Sequence, residues 1–400
     1  MLRRYVFWMH LAAGVIVGLH IAILCLTGVA IAFKEELVEW AERDARRVKV
    51  PTNVAARLSL SEIMHSVQVQ QYGQAVTAIA VKNDAGAAIA VTLESGKTLY
   101  VNPWNGFVRV PGSEAVNDAM QFLTRVHRWL ALTGDYRSTG KLSTGISNLA
   151  LLLLTISGIY LWWPRRWSWR HLKAVSVPNM RLKGRAWQFN LHSSIGIWCA
   201  PLLILLTLSA IPISFRSVDR MLFRISGDKL PKRTPHIREP LVESAPGMSA
   251  IAFDQILAET AKLYPNWQRL VIIKSMEINT QHKNEMTDVQ VLRPQVWPKT
   301  APLIITADNA TGAIIKSTGF ADLSPGRQIR YWTRYLHTGK AFGIMGQTLA
   351  AIGAISGLLL VYSGYKLSWY RFKALWNKNS AIPQTLQTVK FNKRQTEQPT

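Results

Sequence analysis

Four of the nine histidines in this sequence sit in settings that suit metal chemistry. His10 and His192 each open a long apolar run, HLAAGVIVGLHIAILCLTGVAIAF and HSSIGIWCAPLLILLTLSAIPISF. Gly14 and Gly196 fall four residues after the respective histidine, and Thr27-Gly28 and Ser209-Ala210 share a later offset. His127 and His337 lie in basic, aromatic stretches, RVHRWLALTGDY and RYLHTGKAFG, just ahead of two further apolar runs. Neutral imidazole is a common axial ligand of haem iron, and a haem held between helices takes one ligand on each side of its plane. Two facing histidine pairs therefore suit bis-histidine haem b, with Gly14 and Gly18 leaving a groove on one helix face for a porphyrin. The competing reading makes the histidines hydrogen-bonded interfacial anchors and the glycines small-residue packing sites. His20 lies ten residues beyond His10, about 15 Å further along a helix, with no histidine counterpart in the run that starts at His192. It is an alternative ligand to His10 or a hydrogen-bonding group within the helices.

Around these histidines stand arginines able to bind a carboxylate through two parallel hydrogen bonds. Arg125 and Arg128 flank His127, while Arg330 and Arg334 precede His337, so all four are candidate contacts for haem propionates or, equally, cationic interface anchors. His65, His236 and His282 show no zinc-site spacing, and His171 falls in a short basic loop. The two cysteines, Cys25 and Cys199, lie inside apolar runs, and no CxxCH motif offers covalent haem attachment. No GxGxxG motif follows a strand, so a nucleotide-driven electron supply has to come from another molecule.

The elements that must position these residues are membrane spans. Roughly His10–Phe33, Leu142–Trp163, His192–Phe215 and Ile344–Trp369 approach or exceed the ~20 apolar residues that cross a bilayer core. The net charge of +24 is not a nucleic-acid signature here, because it concentrates beside the spans. Arg165, Arg166, Arg170, Lys173, Arg181, Lys183 and Arg185 form an acid-free loop between the second and third runs, which marks the cytoplasmic side. Arg3 and Arg4 before the first run, and Arg371, Lys373 and Lys378 after the last, place both termini on that side. The first run is longer than the ~7–15 residues of a signal-peptide core and is read as a retained helix.

The layout expected is a cytoplasmic start and first spanning helix over 1–33, an outer module over 34–126, and a re-entry segment and second helix over 127–163. A basic loop over 164–190, a third helix over 191–215, a second outer module over 216–334, a re-entry segment and fourth helix over 335–370, and a polar tail over 371–400 complete it. In the first module Ser59 and Glu62 form a capping box ahead of a short helix to about Gln71. Strands are expected at Val76–Val81, Ala88–Leu93 and Thr98–Val101, then an Asn105-Gly106 hairpin into Phe107–Val110. The second module offers a helix from Phe253 to Tyr264, then strands at Arg269–Ile273, Asp288–Leu292, Leu303–Thr306 and Ala313–Ile315. The chain thus reads as an α-helical membrane protein built by internal duplication, with two α+β modules outside the membrane.

The modules with YVNPWNGFV, the HRWL and LHTGKAFG segments and SGIYLWWPRR together resemble the PepSY-associated transmembrane family over nearly the whole chain. The resemblance implies four transmembrane helices, two periplasmic PepSY-type modules and two non-covalent haem b groups in the bacterial inner membrane. By position it carries the ligand role to His10, His127, His192 and His337; His20, and Ser209-Ala210 in place of a second Thr-Gly, are departures. Siderophore reductases of that family move electrons to a ferric siderophore in the periplasm, which implies that activity here, with Trp129, Tyr136, Arg137 and Lys340 as candidate substrate contacts. The electron donor is then a membrane quinol or a cytoplasmic reductase. A different class of function is a haem-free sensor or assembly protein whose modules bind an envelope partner. A siderophore permease is disfavoured by the scarcity of charge within the spans.

Overall fold

The computed structural model describes residues 1–53, 56–70, 74–164, 168–229, 251–274, 286–294, 296–308 and 311–380. Arg165, Arg166, His236, His282 and the tail beyond 380 lie outside the described residues.

Twelve α-helices and eight strands are described: α1 (Leu2–Ala32), α2 (Lys34–Ala41), α3 (Arg43–Arg46), α4 (Leu60–Gln70), β1 (Val76–Lys82), β2 (Ile89–Leu93), β3 (Thr98–Val101), β4 (Val108–Arg109), α5 (Glu114–Trp129), α6 (Arg137–Trp162), α7 (Trp169–Ser176), α8 (Gly184–Ser214), α9 (Arg216–Ile225), α10 (Ile251–Leu263), β5 (Arg269–Lys274), β6 (Met286–Leu292), β7 (Leu303–Asp308), β8 (Ile314–Thr318), α11 (Pro325–His337) and α12 (Ile344–Ser380). Four helices, containing α1, α6, α8 and α12, are long and apolar enough to cross a membrane. They extend beyond the apolar runs because flanking polar residues continue the helix. At 31 residues, α1 is about 46 Å long, well over the ~30 Å hydrocarbon core.

Two compact units emerge. The first comprises Met1–Leu26, Ile146–Ile204 and the chain from Gly353. Small residues set its packing. A side chain at Gly18 would collide with Tyr365, whose hydroxyl donates to the Val15 carbonyl at 3.1 Å, and Gly357 faces the Cys25 thiol. The groove expected beside Gly18 is therefore filled by Tyr365, and this glycine acts as a packing site. Asn190 ties the basic loop to α8: its amide donates to the carbonyls of Ala174 (2.7 Å) and Val177 (3.1 Å) and its Oδ1 accepts from the Asn179 N–H at 2.8 Å.

The second unit comprises Thr27–Gly145 and Leu205–Ile352 and holds the sheet. All strand pairings are antiparallel, in the order β4-β3-β2-β1-β5-β6-β7-β8. Where the sequence suggested two separate modules, one eight-stranded sheet forms, because β1 and β5 pair across the middle, Ile79 opposite Ile272. Each half thereby covers the other's exposed edge, which would otherwise template aggregation. Alternation along the strands puts Ile79, Val81, Val91, Leu99, Leu270, Ile272, Val289, Val291 and Ile305 on one buried face. Helices α4 and α10 close that face with Leu60, Ile63, Val67, Phe253 and Ile256. The Ser59/Glu62 capping box forms as expected, and Asp254 of α10 adds an acceptor for the Leu60 N–H at 2.6 Å.

On the opposite sheet face, Glu42 is 4% exposed and accepts from Arg46 (2.7 Å), the Tyr100 hydroxyl (2.7 Å) and Ser113 (3.0 Å). These bonds offset the cost of burying the carboxylate. Glu42→Ala leaves the Tyr100 and Ser113 hydroxyls without their acceptor and Arg46 with only Glu39 at 3.7 Å, and is expected to destabilise the second unit by roughly 3 kcal/mol, read as a lowered thermal transition in detergent. Glu42→Gln, keeping the hydroxyl acceptor, should lose less.

Candidate cofactor site at two histidine pairs

The His10 and His192 rings face each other in the first unit, with centroids 6.4 Å apart and planes at 83°. In the second unit the His127 and His337 centroids stand 6.2 Å apart at 42°. Two imidazoles on opposite sides of one metal, each bonded at about 2 Å, would separate their ring centres by roughly 6 Å. Both pairs fit that spacing, too wide for stacking and too far for a direct hydrogen bond.

The hydrogen-bond partners decide which nitrogen each ring presents. His10 Nδ1 lies 2.8 Å from Ser157 Oγ, and Ser157 Oγ donates its own proton to the Leu154 carbonyl at 3.1 Å. With the serine proton on that carbonyl, Ser157 accepts from Nδ1–H, the arrangement that leaves Nε2 deprotonated and able to ligate. His192 repeats the arrangement: Nδ1 is 2.9 Å from Ser363 Oγ, which donates to the Leu359 carbonyl at 2.8 Å. Each serine is followed by a glycine against the same ring, Gly158 facing His10 and Gly364 facing His192. His337 Nδ1 lies 3.0 Å from the Leu206 carbonyl, which can only accept, so the same tautomer is fixed there. His127 Nδ1 is held by Thr27 Oγ1 at 3.0 Å. Ser209, at the offset of Thr27, donates instead to its own helix at Leu205 (2.6 Å), which explains why a backbone carbonyl serves His337. Ser157 and Ser363 were not among the sequence candidates; the Ser-Gly pair at matching offsets in the two returning runs was the available signal.

His20 makes no hydrogen bond or ring contact among the described residues, and the histidine opposite His192 is His10. His127 and His337 do not head spanning helices: they sit in the last turns of the amphipathic helices α5 and α11, which the sequence reading treated as re-entry segments. After α5 the chain turns through Leu130 and Ala131, both left-handed (φ 54° and 57°), a conformation costly for residues with a Cβ. Gly140 then packs directly on the Trp129 carbonyl, and Gly339 (φ 74°) on Gly346, leaving no room for a Cβ at either.

The four arginines separate. Arg330 lies 3.7 Å from Asp219, and Arg125 lies over Phe122 on its own helix at 5.9 Å. Arg128 and Arg137 both lie against the Trp129 ring, at 4.8 and 4.3 Å. Partial burial holds the Arg128 guanidinium below the usual arginine range, and the charges of Arg137 and Arg334 push the same way. Lys340 is ion-paired with Glu35, while Tyr136 is 72% exposed.

A model of the PepSY-associated TM region matches residues 7–371. The chain belongs to the PepSY-associated transmembrane family. No curated protein matches it. The family match spans all four histidines of the two pairs, and with the four apolar helices it makes this a membrane protein. Gly339→Ala should strain the turn between His337 and α12 by about 1–3 kcal/mol, measurable as a lower melting temperature. Gly112→Ala, where nothing lies within 4 Å, should not lower it comparably.

Proposed function

We propose that this family member is an inner-membrane di-haem b oxidoreductase that passes electrons across the bilayer to reduce a ferric siderophore in the periplasm. The observation that carries the reading is the pair of imidazole pairs at 6.4 and 6.2 Å, with Nδ1 of each ring engaged by a protein oxygen. Interfacial anchors have no need of a partner ring at this spacing. His10 and His192 would hold one haem near the cytoplasmic face, and His127 and His337 the other near the periplasmic face. The acid-free loop before α8 supports that orientation. Haem iron supplies one-electron chemistry at such sites.

The protein's own groups do the rest. Ser157, Ser363, Thr27 and the Leu206 carbonyl orient the rings and keep Nε2 basic. Arg128 and Arg334 flank the second pair and set a positive field for anionic groups that approach it. Each ferric ion gains one electron and becomes ferrous, a state that siderophores bind more weakly. A quinol, giving up two electrons and two protons, reduces two chelates; a cytoplasmic reductase would serve equally.

Purified protein should carry about two haems per chain, with the sharp low-spin bands of bis-histidine ligation on dithionite reduction. His192→Ala should lower the haem content to about one per chain while leaving the His127–His337 centre. A colourless protein from haem-replete cells would instead support the haem-free sensor or assembly role. Ser157→Ala with Ser363→Ala should weaken haem retention by roughly 10- to 100-fold, read by transfer of haem to apomyoglobin.

A further inference from the structure

Several cations of the second unit pair with acids: Arg46 with Glu42, Arg47 with Asp84, Lys82 with Glu39, Lys97 with Glu114 and Arg330 with Asp219. Arg128, Arg137 and Arg334 do not. Among the described residues none of the three has a carboxylate within ion-pair distance. Arg128 adjoins His127, and Arg334 lies one helical turn before His337, so both flank the pair of rings 6.2 Å apart. The Trp129 indole gathers Arg128 and Arg137 at 4.8 and 4.3 Å, and the Arg334 guanidinium lies 5.8 Å from the Tyr335 ring. Guanidinium groups held on aromatic rings lose side-chain freedom before any ligand arrives, which lowers the cost of binding one. Arg137 and Arg334 are exposed, and Arg128 keeps open surface although its guanidinium is partly buried, so an incoming molecule can reach them.

We propose that Arg128 and Arg137 on the Trp129 ring, together with Arg334 on Tyr335, form the docking site for an anionic ferric chelate, one whose surface offers carboxylate or catecholate oxygens. The inference rests on the reductase reading and narrows its substrate: planar forks of N–H donors match oxyanions and repel a cationic trihydroxamate complex. Haem propionates offer the same carboxylate chemistry, so the test has to separate the two sources.

The experiment titrates detergent-purified holoprotein, with haem quantified, using redox-inert gallium(III) citrate and a cationic gallium(III) trihydroxamate, followed by calorimetry at low and high salt. The citrate complex should bind, weaken with added salt, and lose about tenfold or more in affinity in Arg137→Gln, as for a lost charge-assisted hydrogen bond. Arg137→Lys, which keeps the charge and loses the fork, should fall between. Haem content and midpoint potential should stay as in the parent. Equal or tighter binding of the cationic complex, or unchanged citrate binding in Arg137→Gln, overturns the proposal. So does altered haem retention or potential with gallium binding intact, which assigns the cluster to propionates. Haem-free protein that still binds gallium citrate would overturn the reductase reading and leave the anion site standing.

Discussion

A neutral imidazole has one N–H to give, and where that proton goes decides whether the ring can bind a metal. Everything notable about the two histidine pairs follows from this. The Ser157 and Ser363 hydroxyls also reach backbone carbonyls of their own helices, and with their protons there they accept from the histidines. The Leu206 carbonyl has no proton to offer at all. In each case Nδ1 is engaged by a protein oxygen, and the ring faces its partner histidine. Helices of this length allow it, since each hydroxyl is supplied by a different helix from the histidine it holds.

The same constraint explains the irregular backbone after α5 and α11. An amphipathic helix must end with its histidine at a fixed depth, and the chain must then turn into a spanning helix within a few residues. Leu130 and Ala131 accept left-handed dihedrals to do so, and Gly140 and Gly339 give up side chains so that backbone can touch backbone. Such strain survives only where the surroundings over-determine the conformation. In the same unit, pairing of β1 with β5 joins the two halves of the extramembrane chain into one sheet. The segments that carry His127 and His337 therefore both leave from a single folded body.

Much of this was legible in the residues. Long apolar runs with basic flanks specify membrane helices whatever the tertiary packing, because a bilayer admits no other way to satisfy the backbone of such a run. Alternation and turn residues located all eight described strands, with ends shifted by up to three residues. The four histidines stood out because each repeats in a matching context. What misled was local: Gly18 reads equally as a cofactor groove or a packing notch, and only the presence of Tyr365 against it decides. Arg330 likewise reads as a propionate contact until Asp219, more than a hundred residues earlier in the chain, claims it.

The sequence by itself determined which segments are apolar enough to span a membrane, which form the sheet and which histidines recur in matching contexts, since hydropathy, period and charge are properties of the chain alone. The tertiary structure decided that His10, not His20, faces His192, that serines fix the tautomer, that one sheet forms in place of two, and that three arginines gather without an acid. Those outcomes depend on which distant residues meet, through hydrogen bonds and contacts whose partners lie 100 or more residues apart in several cases. No local pattern encodes such a meeting.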